Sequence, residues 1–465
     1  MKNLIRSIAL FAACFIGFSR AGLAQNQPAE ASTFAVRVVK ENLFIPWEII
    51  YGPDNMIWYT QKNGYICRLN PLDGSADTIY FEPNLVIRNE GGMLGMALHP
   101  DFANTPQVFV VYEYVSGANY LERVIRLDYN GSRLVNPQII LDNISGNTIH
   151  NGSRLMALAD KLYISTGDAA NTGLAQRTDV INGKILRINF DGSIPADNPI
   201  PNSPVWNWGQ RNVQGLVFAN RSIYSSMHGA NNDDEINILQ KGRNYGWPNV
   251  EGFCNTAAEL AFCNDSNVVE PIKAWTPTIA VSGIDYYNHP MFPELQNSLV
   301  MATLKDQKLH ILKLNAAGDS ITSDIVITQV AQGRLRDVCV SPEGSVFIST
   351  SNSNAAGTGV HGDKILELYN PLATGIKHNK QLKGVTLYPN PANSQVTDKL
   401  QISVTGNVTG RWNYYITDFY GRRVQAGNII FPASLSLASL NSGAYLLRCE
   451  DGTGNTGFVR KFIKE

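Results

Sequence analysis

Between residues 34 and 371 the chain repeats one layout six times. Each unit has an apolar segment, a turn, a second apolar segment, a polar loop and a strand of the G-x-I-x-x-L kind. The units open at IPWEIIYGPDNMIWYTQ, MLGMALHPDF, SRLMALADKLYISTGD, VQGLVFANRSIYSSMHG, SGIDYYNHPMF and RLRDVCVSPEGSVFISTSN. They recur every roughly 47 to 68 residues, which suits a four-stranded sheet with variable loops. Such a unit cannot bury its apolar faces alone, and closing the units into a ring leaves few open sheet edges. The pattern therefore predicts an all-β chain with a six-bladed β-propeller over 33–371. An array of β-sandwiches is the alternative that the strand pattern allows.

Strands in such a sheet alternate in direction, so the loop before the first strand and the loop after the second share one face. Loops of the first kind carry Glu90, His150, Arg211-Asn212, and Arg334 with Arg336. Loops of the second kind carry Gln61, Asp168, His228-Gly229, Lys305 and Asn352. His150 and Asp168 bracket two short strands, 154–159 and 161–166, with a turn at Ala159-Asp160, which should bring them together. A histidine oriented by a carboxylate is the minimal kit for general base catalysis, although a pair of polar loops has the same composition. Arg211, Lys305, Arg334 and Arg336 gather at the same predicted mouth, and gathered cations want a polyanionic, planar ligand. Arg334 and Arg336 alternate on one strand and should face one side. Asp233, Asp234 and Glu235 read as turn and cap residues more readily than as metal ligands. Trp206, Trp208 and Trp247 read as core between sheets, and His99 as a turn histidine.

The 465-residue chain has a net charge of -1, which gives no electrostatic case for nucleic acid. Lys2 and Arg6, an apolar run at 8–18 and Ala21-Gly22-Leu23-Ala24 read as a secretory signal over 1–24. Cys14 lies inside that apolar run, which argues against lipidation. Cys254 and Cys263 flank a short loop and are expected to form a disulfide, and Cys67, Cys339 and Cys449 to be buried free thiols. Residues 372–384 read as a polar linker, and 385–465 as a small β-sandwich.

The stretches EGGMLGMALHPDF from Glu90, HNGSRL from His150, GKILRINFDGSIPADNP from Gly183, WGQRNVQGLVF from Trp208, HGANNDDEINILQKGRNYGWP from His228, ATLKDQKL from Ala302 and GRLRDVCVSPEG from Gly333 resemble the soluble PQQ-dependent glucose/sorbosone dehydrogenases. Members of that family are six-bladed propellers. The resemblance implies an exported quinoprotein that oxidises an aldose at C1 to its lactone and passes electrons to an acceptor that the sequence does not identify. His150 would be the general base and Asp168 its orienting partner. Arg211 would contact the reacting quinone oxygen, and Asn212 would also bind PQQ. Lys305, Arg334 and Arg336 would pair with the PQQ carboxylates, with Glu90 beside them. Gly229 and Ala230 would offer backbone carbonyls to Ca2+. PQQ is a flat tricarboxylate quinone, so several cations and a hard metal ion suit it.

This chain departs from the family pattern at three positions. Glu90 stands where glutamine is expected, which is awkward beside a tricarboxylate unless it meets Ca2+, a sugar hydroxyl or an arginine. Ala230 replaces a proline and Gln210 a histidine. Two other readings use the same mouth. One is a non-catalytic propeller that binds a protein or glycan, and the other is a Ca2+-dependent lactonase. The joint presence of His150, Asp168, Arg211, Lys305, Arg334 and Arg336 argues against the first, and the gathered cations argue against the second. The module at 385–465 resembles a type IX secretion sorting domain through Tyr388-Pro389-Asn390-Pro391, Gly421-Arg422-Arg423, Leu440, Gly443-Ala444-Tyr445 and its basic end, implying the type IX machinery as a partner.

Overall fold

The computed structural model describes residues 34–353, 362–371, 380–381, 384–392, 398–406, 408–418, 423–451 and 456–465. The expected signal at 1–24, most of the expected linker, and Gly421-Arg422 lie outside the described residues.

Among the described residues, 35–369 form six four-stranded antiparallel sheets. The first holds Pro46–Tyr51, Ile57–Gln61, Tyr65–Leu69 and Ala76–Phe81, and the second Met93–Leu98, Gln107–Ser116, Asn119–Tyr129 and Leu134–Ser145. The third holds Gly152–Leu158, Lys161–Thr166, Lys184–Asn189 and Val205–Trp208, and the fourth Val213–Ala219, Ser222–Met227, Asp234–Leu239 and Lys273–Trp275. The fifth holds Val281–Tyr287, Ser298–Thr303, Leu309–Leu314 and Ile321–Ile327. The sixth holds Leu335–Val340, Val346–Thr350 and Asp363–Tyr369, and takes its outer strand, Ala35–Leu43, from the start of the region. The repeat units do not include that strand.

The first strands of successive sheets touch in turn, and that of the sixth touches that of the first. Alternating apolar side chains fill the spaces between sheets. Phe109, Val111, Leu162 and Ile164 share one core, and Val300, Ile311, Val338 and Ile348 share another. Each such side chain contributes about 1.5–3 kcal/mol by leaving water.

Every first strand begins with a break in register. Leu335 faces Thr350 and Asp337 faces Ser349, so Arg336 is an extra residue. Val213 faces Met227 and Gly215 faces Ser226, which leaves Gln214 extra. Like irregularities fall between Pro46 and Ile49, Met93 and Met96, Gly152 and Leu155, and Val281 and Ile284. A bulge turns the strand and re-aims the side chains around it.

Beyond the six sheets two more, of five and three strands, share a core of Leu400, Ile402, Ile416, Leu447 and Phe462 that includes no residue before Val385. Lys380–Gln381 pairs in parallel with Thr456 and Gly457, so part of the expected linker is strand. Asn390 clasps the last strand: its Nδ2 donates to Lys461 O at 3.1 Å and its Oδ1 accepts from Ile463 N at 3.0 Å. Cys254 and Cys263 are disulfide-bonded, and Cys67, Cys339 and Cys449 are buried and free. The disulfide encloses most of a short helix, Ala257–Asp265, whose Thr256 and Glu259 form a capping box.

Candidate active site

The turn between Gly152–Leu158 and Lys161–Thr166 returns the chain to its starting edge, so His150 and Asp168 meet. Gly167 permits the approach, because a Cβ there would sit 1.7 Å from His150 O. His150 Nδ1 lies 2.8 Å from Asp168 Oδ1. That oxygen also accepts from Ala170 N at 2.9 Å, and Oδ2 accepts from Trp247 Nε1 at 2.8 Å. Asp168 is fully buried, whereas His150 keeps 14% of its side-chain exposure. A carboxylate oxygen that already accepts from Ala170 N is suited to accept from Nδ1 as well, which would leave Nε2 for other chemistry.

A cavity of about 270 Å³ opens beside this pair; five of the six sheets contribute strand residues to its wall, and the fifth contributes through Ala280 and Leu304 in its flanking loops. Trp47, Gln214 and Arg336 reach it from the register breaks, and Lys62, Glu90, His228 and Arg334 from the loops. Glu90 joins the cavity to the His150 backbone, because its Oε2 accepts from His150 N at 2.7 Å. Arg336 Nη1 donates to Gln214 Oε1 at 2.9 Å. Burial, then the charge of Arg334, pulls Arg336 down to about 10. Burial lowers His228 to about 4, so its ring is neutral. The Arg211 guanidinium stands 5.1 Å from the Trp247 ring centre and donates to His228 O at 3.3 Å. Burial lowers it from the ordinary arginine range.

Of the residues expected from the sequence, Glu90, Arg334 and Arg336 line the cavity directly. His150 borders it through Glu90, and Arg211 through His228. Lys305 is exposed, follows the lining residue Leu304 and donates to Thr278 Oγ1 at 3.2 Å. Asn212 is buried, and its Oδ1 accepts from Gly152 N and Gln214 Nε2, both at 3.0 Å, so it ties the third sheet to the fourth. Gly229 and Ala230 follow His228 in a loop held by Asp234, whose carboxylate accepts from the N–H groups of Gly229, Ile279 and Ala280. Asp234, the first residue of its strand, therefore braces this loop through backbone N–H groups. Gln210 is buried and donates to Asn207 Oδ1 at 3.1 Å. Two groups of the site carry no signal of their own in the sequence. Lys62 directly follows Gln61 of the predicted mouth, and Trp247 holds Asp168 instead of only filling core.

The glucose/sorbosone dehydrogenase family model matches residues 43–359. The chain belongs to that family. Residues 386–465 match the secretion system C-terminal sorting domain, which marks the protein for type IX secretion to the cell surface or outside. An uncharacterised protein of Synechocystis is 32% identical over 375 residues, covering 71% of this chain and 90% of that relative. Quinoprotein glucose dehydrogenase B of Acinetobacter calcoaceticus is 30% identical over 442 residues, covering 74% and 92%. The PQQ-bound aldose sugar dehydrogenase of Streptomyces coelicolor has a TM-score of 0.61 at 30% identity, covering 72% and 98%. The family is one of sugar dehydrogenases, as are the Acinetobacter and Streptomyces relatives by name, and the Streptomyces structure shares this fold.

The polar groups in and beside the cavity suit an oxygen-rich anion. Nε of Arg211, Nε of Arg336 and Nε2 of His228 are buried without a hydrogen-bond partner. Buried polar atoms are rarely left so, and an oxygen-rich anion would satisfy the two guanidinium donors.

Proposed function

We propose that this protein is an exported PQQ-dependent dehydrogenase that oxidises an aldose at C1 to its lactone. The six sheets are read as blades of a propeller whose channel mouth is the site, and the two C-terminal sheets as a sandwich. PQQ, when bound, supplies the electrophilic carbonyl that takes the sugar's hydride. His150 Nε2 removes the proton of the C1 hydroxyl, and Asp168 fixes the tautomer and steadies the imidazolium that results. Arg211 faces developing negative charge, while Arg334, Arg336 and Lys305 hold carboxylates. Asn212 acts by keeping its neighbours in register. Among the described residues no group of three or more His, Cys, Asp or Glu is positioned to hold a metal. A Ca2+ here would rest on the carbonyls of Gly229 and Ala230 together with ligand oxygens.

The observation that carries this reading is the 2.8 Å His150–Asp168 pair bordering a wall with Arg334 and Arg336. The test is reconstitution with PQQ and Ca2+, followed by dye reduction over a panel of aldoses. His150→Ala should still bind PQQ but lose about 10²–10⁴-fold in kcat. Full activity in that variant removes the base assignment.

A further inference from the structure

We propose that Lys62 is an anion-binding residue of the cavity, whose ammonium offsets Glu90 so that a tricarboxylate can bind beside that carboxylate. The inference rests on the PQQ reading above and concerns a residue given no role there.

Lys62 is 2% exposed and follows Ile57–Gln61. Its backbone is held from both sides: its N–H donates to Ile45 O at 3.2 Å, and its carbonyl accepts from Met93 N at 3.0 Å. Gly92 makes room for it, because a Cβ there would lie 2.6 Å from both Lys62 Cγ and Lys62 O. The stem is thereby directed at the cavity, where Nζ donates to Asn89 O. Three charged groups face it: Glu90 from the loop before Met93–Leu98, Glu113 of Gln107–Ser116, and Arg336 of Leu335–Val340. Glu113 is already engaged by Arg88, whose Nε donates to its Oε1 at 2.9 Å. Glu90 has one oxygen on His150 N–H. A carboxylate in this wall repels an incoming carboxylate unless a cation stands beside it, and Lys62 is that cation.

Burial and a neighbouring cation both disfavour the charged form of Lys62. Burial, then the like charge of Arg336, brings it down to about 8, with Glu90 and Glu113 opposing. An arriving anion favours the charged ammonium. Binding should therefore be strongest below about pH 8 and weaken as pH rises through it.

The test is titration of the full-length apoprotein with PQQ at fixed Ca2+, followed by absorbance, from about pH 6.5 to about 9.5. Lys62→Met should weaken Kd by at least about tenfold. Glu90→Gln added to Lys62→Met should recover most of that loss, because the carboxylate to be offset is gone. Lys62→Arg should bind as wild type at neutral pH and lose much of the alkaline weakening. Wild-type affinity in Lys62→Met, or an unchanged alkaline loss in Lys62→Arg, overturns the role of Lys62 alone. Failure of the wild type to bind PQQ at any pH overturns the cofactor reading and this inference together. If Lys62→Met does not fold, the Lys62→Arg profile decides the matter.

Discussion

His150 sits at φ 63°, in the left-handed region that a histidine holds only when its surroundings fix it. They do so through Glu90, which takes its N–H, and Asp168, which takes its ring. Trp247 then holds the far oxygen of Asp168. Trp247→Phe should keep the ring under Arg211 but drop that hydrogen bond. Steady-state kinetics should show kcat falling by about tenfold with PQQ affinity unchanged. A second buried carboxyl gives a pH signature. Burial pushes Glu235 up to about 8, so the folded form binds a proton that the unfolded chain has already released. Stability from this group is therefore full below the ordinary glutamate value and falls as pH rises towards about 8. Asn237 Nδ2 donates to Glu235 Oε2 at 2.7 Å, and a glutamine at 235 keeps a hydrogen bond there when the Asn237 amide turns over so that its Oδ1 accepts. Glu235→Gln should raise the melting temperature at pH 8 by a few degrees, roughly, and flatten its decline with pH. The His150–Asp168 pair was legible in the sequence because a hairpin dictates where its ends meet. Lys62 and the support role of Trp247 were not, because the partners that define them come from other sheets.

The register breaks matter most at the scale of the strand. Strict alternation would send neighbouring side chains to opposite faces, and a reading by period alone cannot see an inserted residue. Around these breaks Glu48, Arg154 and Asp337, from the first, third and sixth sheets, come together. Arg154 Nη1 lies 2.8 Å from Glu48 Oε1 and 2.9 Å from Asp337 Oδ1, and its Nε donates to Gln214 O at 2.9 Å. Burial drives both carboxyls upward, and Arg154 opposes it. Removing one member of such a buried set leaves charge uncompensated. Arg154→Met should destabilise the protein by about 3–5 kcal/mol in denaturant melts. The apolar runs announced the strands themselves. The side chains joining those strands across the centre stayed hidden, because each comes from a different repeat.

For the whole molecule, the sorting module stands on its own apolar core and its terminal strand is clasped by Asn390. Deleting 385–465 should leave the protein inside the producing cells, with none in the medium or on the surface by immunoblot. The module was legible through local motifs. The outer strand Ala35–Leu43 was not, since its pattern is half polar and its partner is remote: Arg37 Nε meets Glu367 at 2.6 Å, 330 residues away. That pairing also constrains when folding can finish. Synthesis delivers Ala35–Leu43 early and Asp363–Tyr369 late, so the opening segment waits without its partner while almost all the sheets are made. A product truncated before residue 363 leaves that segment unpaired, and a chain still on the ribosome can complete five sheets but not the sixth.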